Sequence, residues 1–288
     1  MNITDILKER KALYKCTSKG EYLFFTSILI SSGALCAVLV LFVTNFVKTP
    51  EIASAYGEII YSKAISGAKS PFIEAAIEVF YEILNSIWLS LPSALSFLLV
   101  LFLVVCPIYQ GTIRWSAYLV EKRESLPVSA ILFYFFSPKL YFRSVYLSIK
   151  IFTRKLIFAF LFFLVPGILL FFSLVLGSDY YGQKAAAGAV LLLSLVLFAL
   201  CLVLYVIFCQ RYAAVRYLFA LGNFKKLFYR SAHLTHKSRA FIFAFNLRLI
   251  PNLLLIIPVI TAPLALSRIL CAKCLMVNAL IAKKKAVA

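Results

Sequence analysis

Apolar residues in this chain are gathered into long charge-free runs instead of recurring at the spacing of a soluble helix or strand. A helix that crosses a bilayer needs about 20 apolar residues to cover a hydrocarbon core of about 30 Å. Four runs meet that requirement: Tyr22 to Val47, the stretch between Glu82 and Arg114, Leu156 to Leu176, and Ala185 to Gln210. In the second, Trp88 sits near one end and Trp115 just past the other, where interfacial aromatics belong. These runs predict spans at 22–47, 86–110, 156–176 and 185–210. From Phe241 to Ala282 the chain is again apolar, but Arg248, Arg268 and Lys273 interrupt it, as do Pro251, Pro258 and Pro263. Two further crossings, 241–259 and 262–282, joined near Pro258–Pro263, fit its length. The alternative is one broken span followed by a surface helix.

The connecting segments are patterned too. The leader Thr4 to Lys19 places Ile3, Ile6, Leu7, Leu13 and Tyr14 at helical spacing among charges, which predicts an interfacial helix with Asn2 or Thr4 as its cap. A 26-residue span after a 21-residue charged leader reads as a retained anchor, because a cleavable signal has an apolar core of about 7–15 residues. In the segment 48–85, Pro71 suits a helix start, and Glu74, Glu78 and Glu82 then share one face. That acidic stripe is either a docking surface or simply a solvated face.

In the segment 111–155, a helix after Pro138 brings Lys139, Arg143, Lys150 and Arg154 within about 60° of one another, with Tyr141, Val145, Phe152 and Leu156 opposite. A basic amphipathic helix of this kind suits anionic lipid headgroups at about 1 kcal/mol per cation. The same charges also serve to hold the loop on the cytoplasmic side. The segment 211–240 has seven basic residues and no acidic one. Ile113-Arg-Trp115 and Val215-Arg-Tyr217 echo each other, each after a span and before a basic aromatic loop, as an internal duplication would produce.

Composition sharpens this picture. The chain has 288 residues, 63% hydrophobic and 14% charged, against about 45–50% and about 25% for a soluble domain. The fold class expected is therefore all-α, a single polytopic membrane domain of about six helices plus interfacial helices. Thirty Lys and Arg against 11 Asp and Glu give +19. In a soluble protein that excess would point to nucleic acid; here the charges border apolar runs, so membrane lipid is the expected partner and nucleic acid is not. With both termini inside, the cytoplasmic segments hold 23 basic and five acidic residues, and the external loops four and six. Only an even number of spans keeps Lys283–Lys285 with the other basic segments, hence six.

Candidate chemistry is sparse. No Asp or Glu falls within any expected span, which argues against intramembrane aspartyl chemistry and carboxylate proton relays. His233 and His236 form an H-x-x-H without a third ligand nearby, a poor zinc site. Cys271-Ala-Lys-Cys274 has redox spacing but lies inside a helical stretch. No nucleotide or cofactor fingerprint is present, so no catalytic residue, cofactor or metal is assigned. The polar positions of most interest are Arg248 and Asn252, on one helix face beside Pro251, and Arg268 and Lys273 in the partner helix. A cation at the bilayer centre costs roughly 2.5–3.5 kcal/mol on insertion scales, so these residues either contact an anionic ligand or lipid phosphate, or snorkel to the interface.

Gly111-Thr-Ile-Arg-Trp115 through Lys122-Arg-Glu124 and Phe133-Tyr-Phe-Phe136 resembles the first cytoplasmic loop of a bacterial multi-pass family, domain of unknown function 975. Ser231-Ala-His-Leu-Thr-His-Lys237 and the proline-centred turn before the last helix resemble its C-terminal half, so the similarity covers roughly residues 100–280. The resemblance implies about six spans in a bacterial plasma membrane and carries no known activity or catalytic residues. The function expected is a non-enzymatic, lipid-interacting scaffold or accessory subunit, with a protein partner or a second copy left open. The alternative is a small transporter for an anionic or amphiphilic solute between the last two spans, and a membrane enzyme comes third.

Overall fold

The structure is a computed structural model that describes residues 3–16, 27–34, 37–38, 49–68, 70–122, 126–178, 182–222, 224–254 and 262–285. Among them every regular element is helical: α1 (Ile3–Cys16), α2 (27–34), α3 (Thr49–Ser66), α4 (Pro71–Val100), a π-helical turn (Leu101–Val105), α5 (Cys106–Lys122), a 3-10 turn (Val128–Tyr134), α6 (Pro138–Gly177) and α7 (Lys184–Cys209). A 3-10 turn (Gln210–Tyr212), α8 (Val215–Ala220), α9 (Leu227–Thr235), another 3-10 turn (His236–Ser238), α10 (Arg239–Arg248), α11 (Ile250–Leu254) and α12 (Ala262–Lys285) follow. Three continuous stretches, Ala94–Lys122, Pro138–Gly177 and Lys184–Ala220, are long and apolar enough to cross a membrane.

Helix starts follow local chemistry. The Ser70 hydroxyl accepts the Ile73 N–H at 3.3 Å and so caps α4, with Pro71 next. The Ser137 carbonyl accepts the N–H groups of Leu140 and Tyr141, launching α6 at Pro138.

Several expectations need adjustment. The acidic helix and the second span are one unbroken helical run from Pro71 to Lys122, with a π turn at Leu101–Val105. The fifth crossing is two short helices, broken at Leu249 next to Pro251, and residues 255–261 lie outside the described residues, as does most of 22–47. Helix α6 keeps its basic stripe, but the face it buries is Ser144, Leu147, Ser148 and Ile151 with Val145; Phe152 and Leu156 are exposed.

The chain divides into two compact units. The first comprises residues 1–35, 100–153 and 206–288, and it holds most of the buried side chains. Its centre is α12, whose Ile269, Leu270, Cys271, Ala272, Cys274, Leu275, Met276 and Val277 are all buried. Burial all round a helix marks a core element. Helices α1, α5, α9 and α11 surround it. Against Cys271 pack Leu29, Ile108, Trp115, Leu119 and Ile131. The 3-10 turn lies so close on α5 that a Cβ at Gly111 would meet the Ile131 backbone, its carbonyl carbon at 2.7 Å.

The second unit, residues 36–99 and 154–205, is built differently. Ala75, Val79 and Val175 form a small core, and Phe72 stacks on Phe172. Ser173 and Ser194 are buried and donate to the carbonyls of Ala187 and Pro166, both at 2.9 Å, stitching α6 to α7. Most remaining apolar side chains of these helices are exposed: only 17% of the most apolar stretch of α6 is buried, and 6% of that spanning α7. The second unit holds six basic and six acidic residues, so the whole +19 resides in the first.

Substituting Gly111→Ala is expected to destabilise the protein in detergent by about 1–3 kcal/mol, since backbone must move to admit the methyl. Gly188→Ala, where a Cβ meets nothing within 4 Å, is the control and is expected to unfold at or above the wild-type temperature. Equal unfolding temperatures for the two variants would contradict the close α5–turn contact.

Candidate functional site

The basic stripe of α6 occupies one side of that helix, with Lys139 and Arg143 exposed and Lys150 and Arg154 half-buried. Beside it run the exposed side chains of Phe142, Tyr146 and Ile149. Lys150 Nζ donates to the Tyr146 hydroxyl at 3.4 Å and lies 5.2 Å from that ring. It also approaches the Phe228 ring at 5.6 Å, and the Arg143 guanidinium lies 5.2 Å from Phe224. The two basic segments, far apart in sequence, are therefore neighbours, and aromatic rings of the second seat cations of the first. Lys226 there adopts φ 51°, a left-handed conformation that ends the turn and lets its carbonyl accept the Arg230 N–H to begin α9. Each exposed cation–ring contact contributes about 0.5–1 kcal/mol, enough to position the cations without neutralising them.

The echoed triplets also come together in the first unit, because α5 packs on α8. Trp115 and Tyr217 are buried in it. Arg114 lies 3.3 Å over the Phe133 ring, and Arg216 lies 5.0 Å from Tyr109 while its carbonyl accepts the Gln110 amide at 2.8 Å. Tyr134 stacks on Phe219 at 5.7 Å. Burial pushes the Tyr134 hydroxyl up to about 12 against an opposing pull from Arg114, so it stays neutral at physiological pH.

The four positions marked in the C-terminal region are distributed over α10, α11 and α12. Arg248 ends α10 and is exposed, and Asn252 is half-buried in α11. On α12, Arg268 is half-buried and Lys273 is exposed, and the two are five residues apart, about 140° around the helix. Three cavities of about 450, 440 and 100 Å³ are lined by other residues. Cys271 and Cys274 are buried, unbridged thiols in the core. Among the described residues no three His, Cys, Asp or Glu side chains come together as a metal site would require. His233 stacks on Tyr229 and meets Lys284 Nζ, which also donates to the His233 carbonyl at 3.1 Å.

Sequence reasoning missed Glu121, Arg230 and Asn278, which the fold brings to one cavity from three helices. Glu121 was visible as one of two acids in a basic segment, but its neighbours in the cavity are set by tertiary packing alone.

No family model matches the chain, and neither a curated protein nor a solved structure is detectably similar to it.

A double-mutant cycle with Arg114→Gln and Phe133→Leu is expected to give a coupling of about 0.5–2 kcal/mol in unfolding measurements. Strictly additive effects would mean that guanidinium and ring lie together without attracting each other.

Proposed function

We propose that this chain is an integral membrane protein that binds anionic lipid headgroups through its basic face and acts as a non-enzymatic scaffold or accessory subunit. The observation that carries this reading is α6. In one continuous helix, the stripe Lys139, Arg143, Lys150 and Arg154 runs directly into Leu156, Ile157, Phe160, Leu161, Leu164 and Val165, all exposed. Exposed apolar side chains over that length cost too much in water, at about 25 cal/mol per Å², unless hydrocarbon covers them. Charges at one end then fall in the headgroup zone, where each Lys or Arg gains about 1 kcal/mol on an anionic surface.

In this reading residues 156–177 and the apolar part of α7 contact acyl chains, and the run α4–α5 also crosses the membrane. Six crossings with both termini cytoplasmic is the arrangement that keeps the Lys283–Lys285 tail with the other basic segments. The resemblance to domain of unknown function 975 extends the proposal to a bacterial plasma membrane and adds no activity.

The test is lipid retention by the full-length protein in mild detergent, read by native mass spectrometry with phosphatidylglycerol and phosphatidylcholine offered together. Wild type is expected to prefer phosphatidylglycerol, increasingly so as salt is lowered. Changing Lys139, Arg143, Lys150 and Arg154 to Gln is expected to weaken that retention about tenfold or more. Unchanged retention would leave the stripe as a topology signal only.

A further inference from the structure

Where α5, α8, α9 and the end of α12 meet, the first unit holds an open cavity of about 450 Å³. Its polar lining is Glu121, Arg230, His233 and Asn278, with Leu218 and Leu234 among its apolar walls. Lys284 is drawn to the same place by its bonds to the His233 carbonyl and ring. A guanidinium, an imidazole and a carboxamide lining one cavity, with an ammonium bonded to the residue that supplies the imidazole, are a donor set that recognises a phosphate ester. Glu121 does not fit a bare phosphate. Its carboxylate is exposed on the cavity wall, so it would repel a dianion.

We infer that this cavity binds a phosphate ester that also carries a primary ammonium, with the phosphate against Arg230, His233 and Lys284 and the ammonium on Glu121. The opposite charges in one cavity are then all matched. A second cavity of about 440 Å³ shares Glu121 and explains why the ammonium is primary and not quaternary. It is rich in aromatic rings, the surface that holds a quaternary ammonium. However, Arg114 covers Phe133, Lys122 lies 4.8 Å from Tyr118, and Arg143 approaches Phe224, so the chain's own cations already occupy those faces. Recognition of the ammonium falls to the carboxylate, which needs N–H donors on its partner. Phosphoethanolamine has them and phosphocholine does not. The source of this chemistry is either a lipid headgroup or a soluble ester. The first rests on the membrane reading above.

The experiment is native mass spectrometry of the full-length protein in a maltoside detergent. The probes are dioctanoyl-phosphatidylethanolamine, dioctanoyl-phosphatidylcholine, dioctanoyl-phosphatidylglycerol, phosphoethanolamine and inorganic phosphate. Wild type is expected to bind the ethanolamine ester about tenfold more tightly than its choline or glycerol counterpart. Glu121→Gln is expected to erase that preference while leaving phosphatidylglycerol binding unchanged or tighter, and Arg230→Gln to weaken every phosphate ester. Unfolding temperatures of both variants establish that they are folded. Binding confined to the dioctanoyl form assigns the site to a lipid; equal binding of phosphoethanolamine assigns it to a soluble ester. No ethanolamine preference, or a preference that survives Glu121→Gln in the folded variant, overturns the inference. The α6 stripe variant separates the two ideas: ethanolamine preference retained with phosphatidylglycerol retention lost supports both, and either can fail without the other.

Discussion

A helix of 40 residues that is basic in its first part and apolar in its second suits two different surroundings, and the same contrast runs through the rest of the structure. At 1.5 Å per residue α6 is roughly 60 Å long, about twice the hydrocarbon thickness of a bilayer. Its backbone hydrogen bonds are internal except where Pro166 has no N–H to donate, so nearly the whole helix can pass from a polar to an apolar medium with its N–H and C=O groups satisfied. Only side chains have to change at the boundary, and they do: cations up to Lys155, then an apolar run to Leu176 broken only by Ser173. Ser173 and Ser194, buried in the apolar stretches of α6 and α7, are both satisfied by carbonyls of the neighbouring helix.

The two units express the same division in their packing. In the first, side chains interlock around α12 and a 3-10 turn presses on Gly111, as in the core of a water-soluble protein. Its charge is +19, and Arg114, Arg143 and Lys150 among its cations lie against aromatic rings. Seating a cation on an aromatic face holds its position while leaving its charge available to an anion outside the protein. The second unit is neutral, shallowly packed and apolar on its exposed surface, which fits contact with acyl chains more than with water.

Much of this was legible in the residues. Pro71 and Pro138 mark real helix starts, the apolar runs after Glu82, Lys155 and Lys184 lie in long helices, and the α6 cations share a face as their spacing requires. Periodicity failed where tertiary contacts decide. Ile131 and Tyr134 look like apolar loop residues, yet they are core because Gly111 lets the turn approach α5. Helix α12 reads as a span by composition, but its burial on nearly every side depends on four other helices. The cavity at Glu121 draws residues from positions 121 to 281, and no local pattern announces such a cluster.

The account stands most directly on where α6 sits. Spin labels placed singly at Lys139, Phe160, Leu164 and Ile168 in the protein reconstituted into vesicles would report depth by the balance of oxygen against water-soluble nickel collisions. The expected result is water exposure at Lys139 and, at the other three positions, high oxygen and negligible nickel accessibility. Nickel reaching the label at Leu164 as readily as at Lys139 would mean that the apolar face of α6 meets water or protein, and the membrane reading would fail with it.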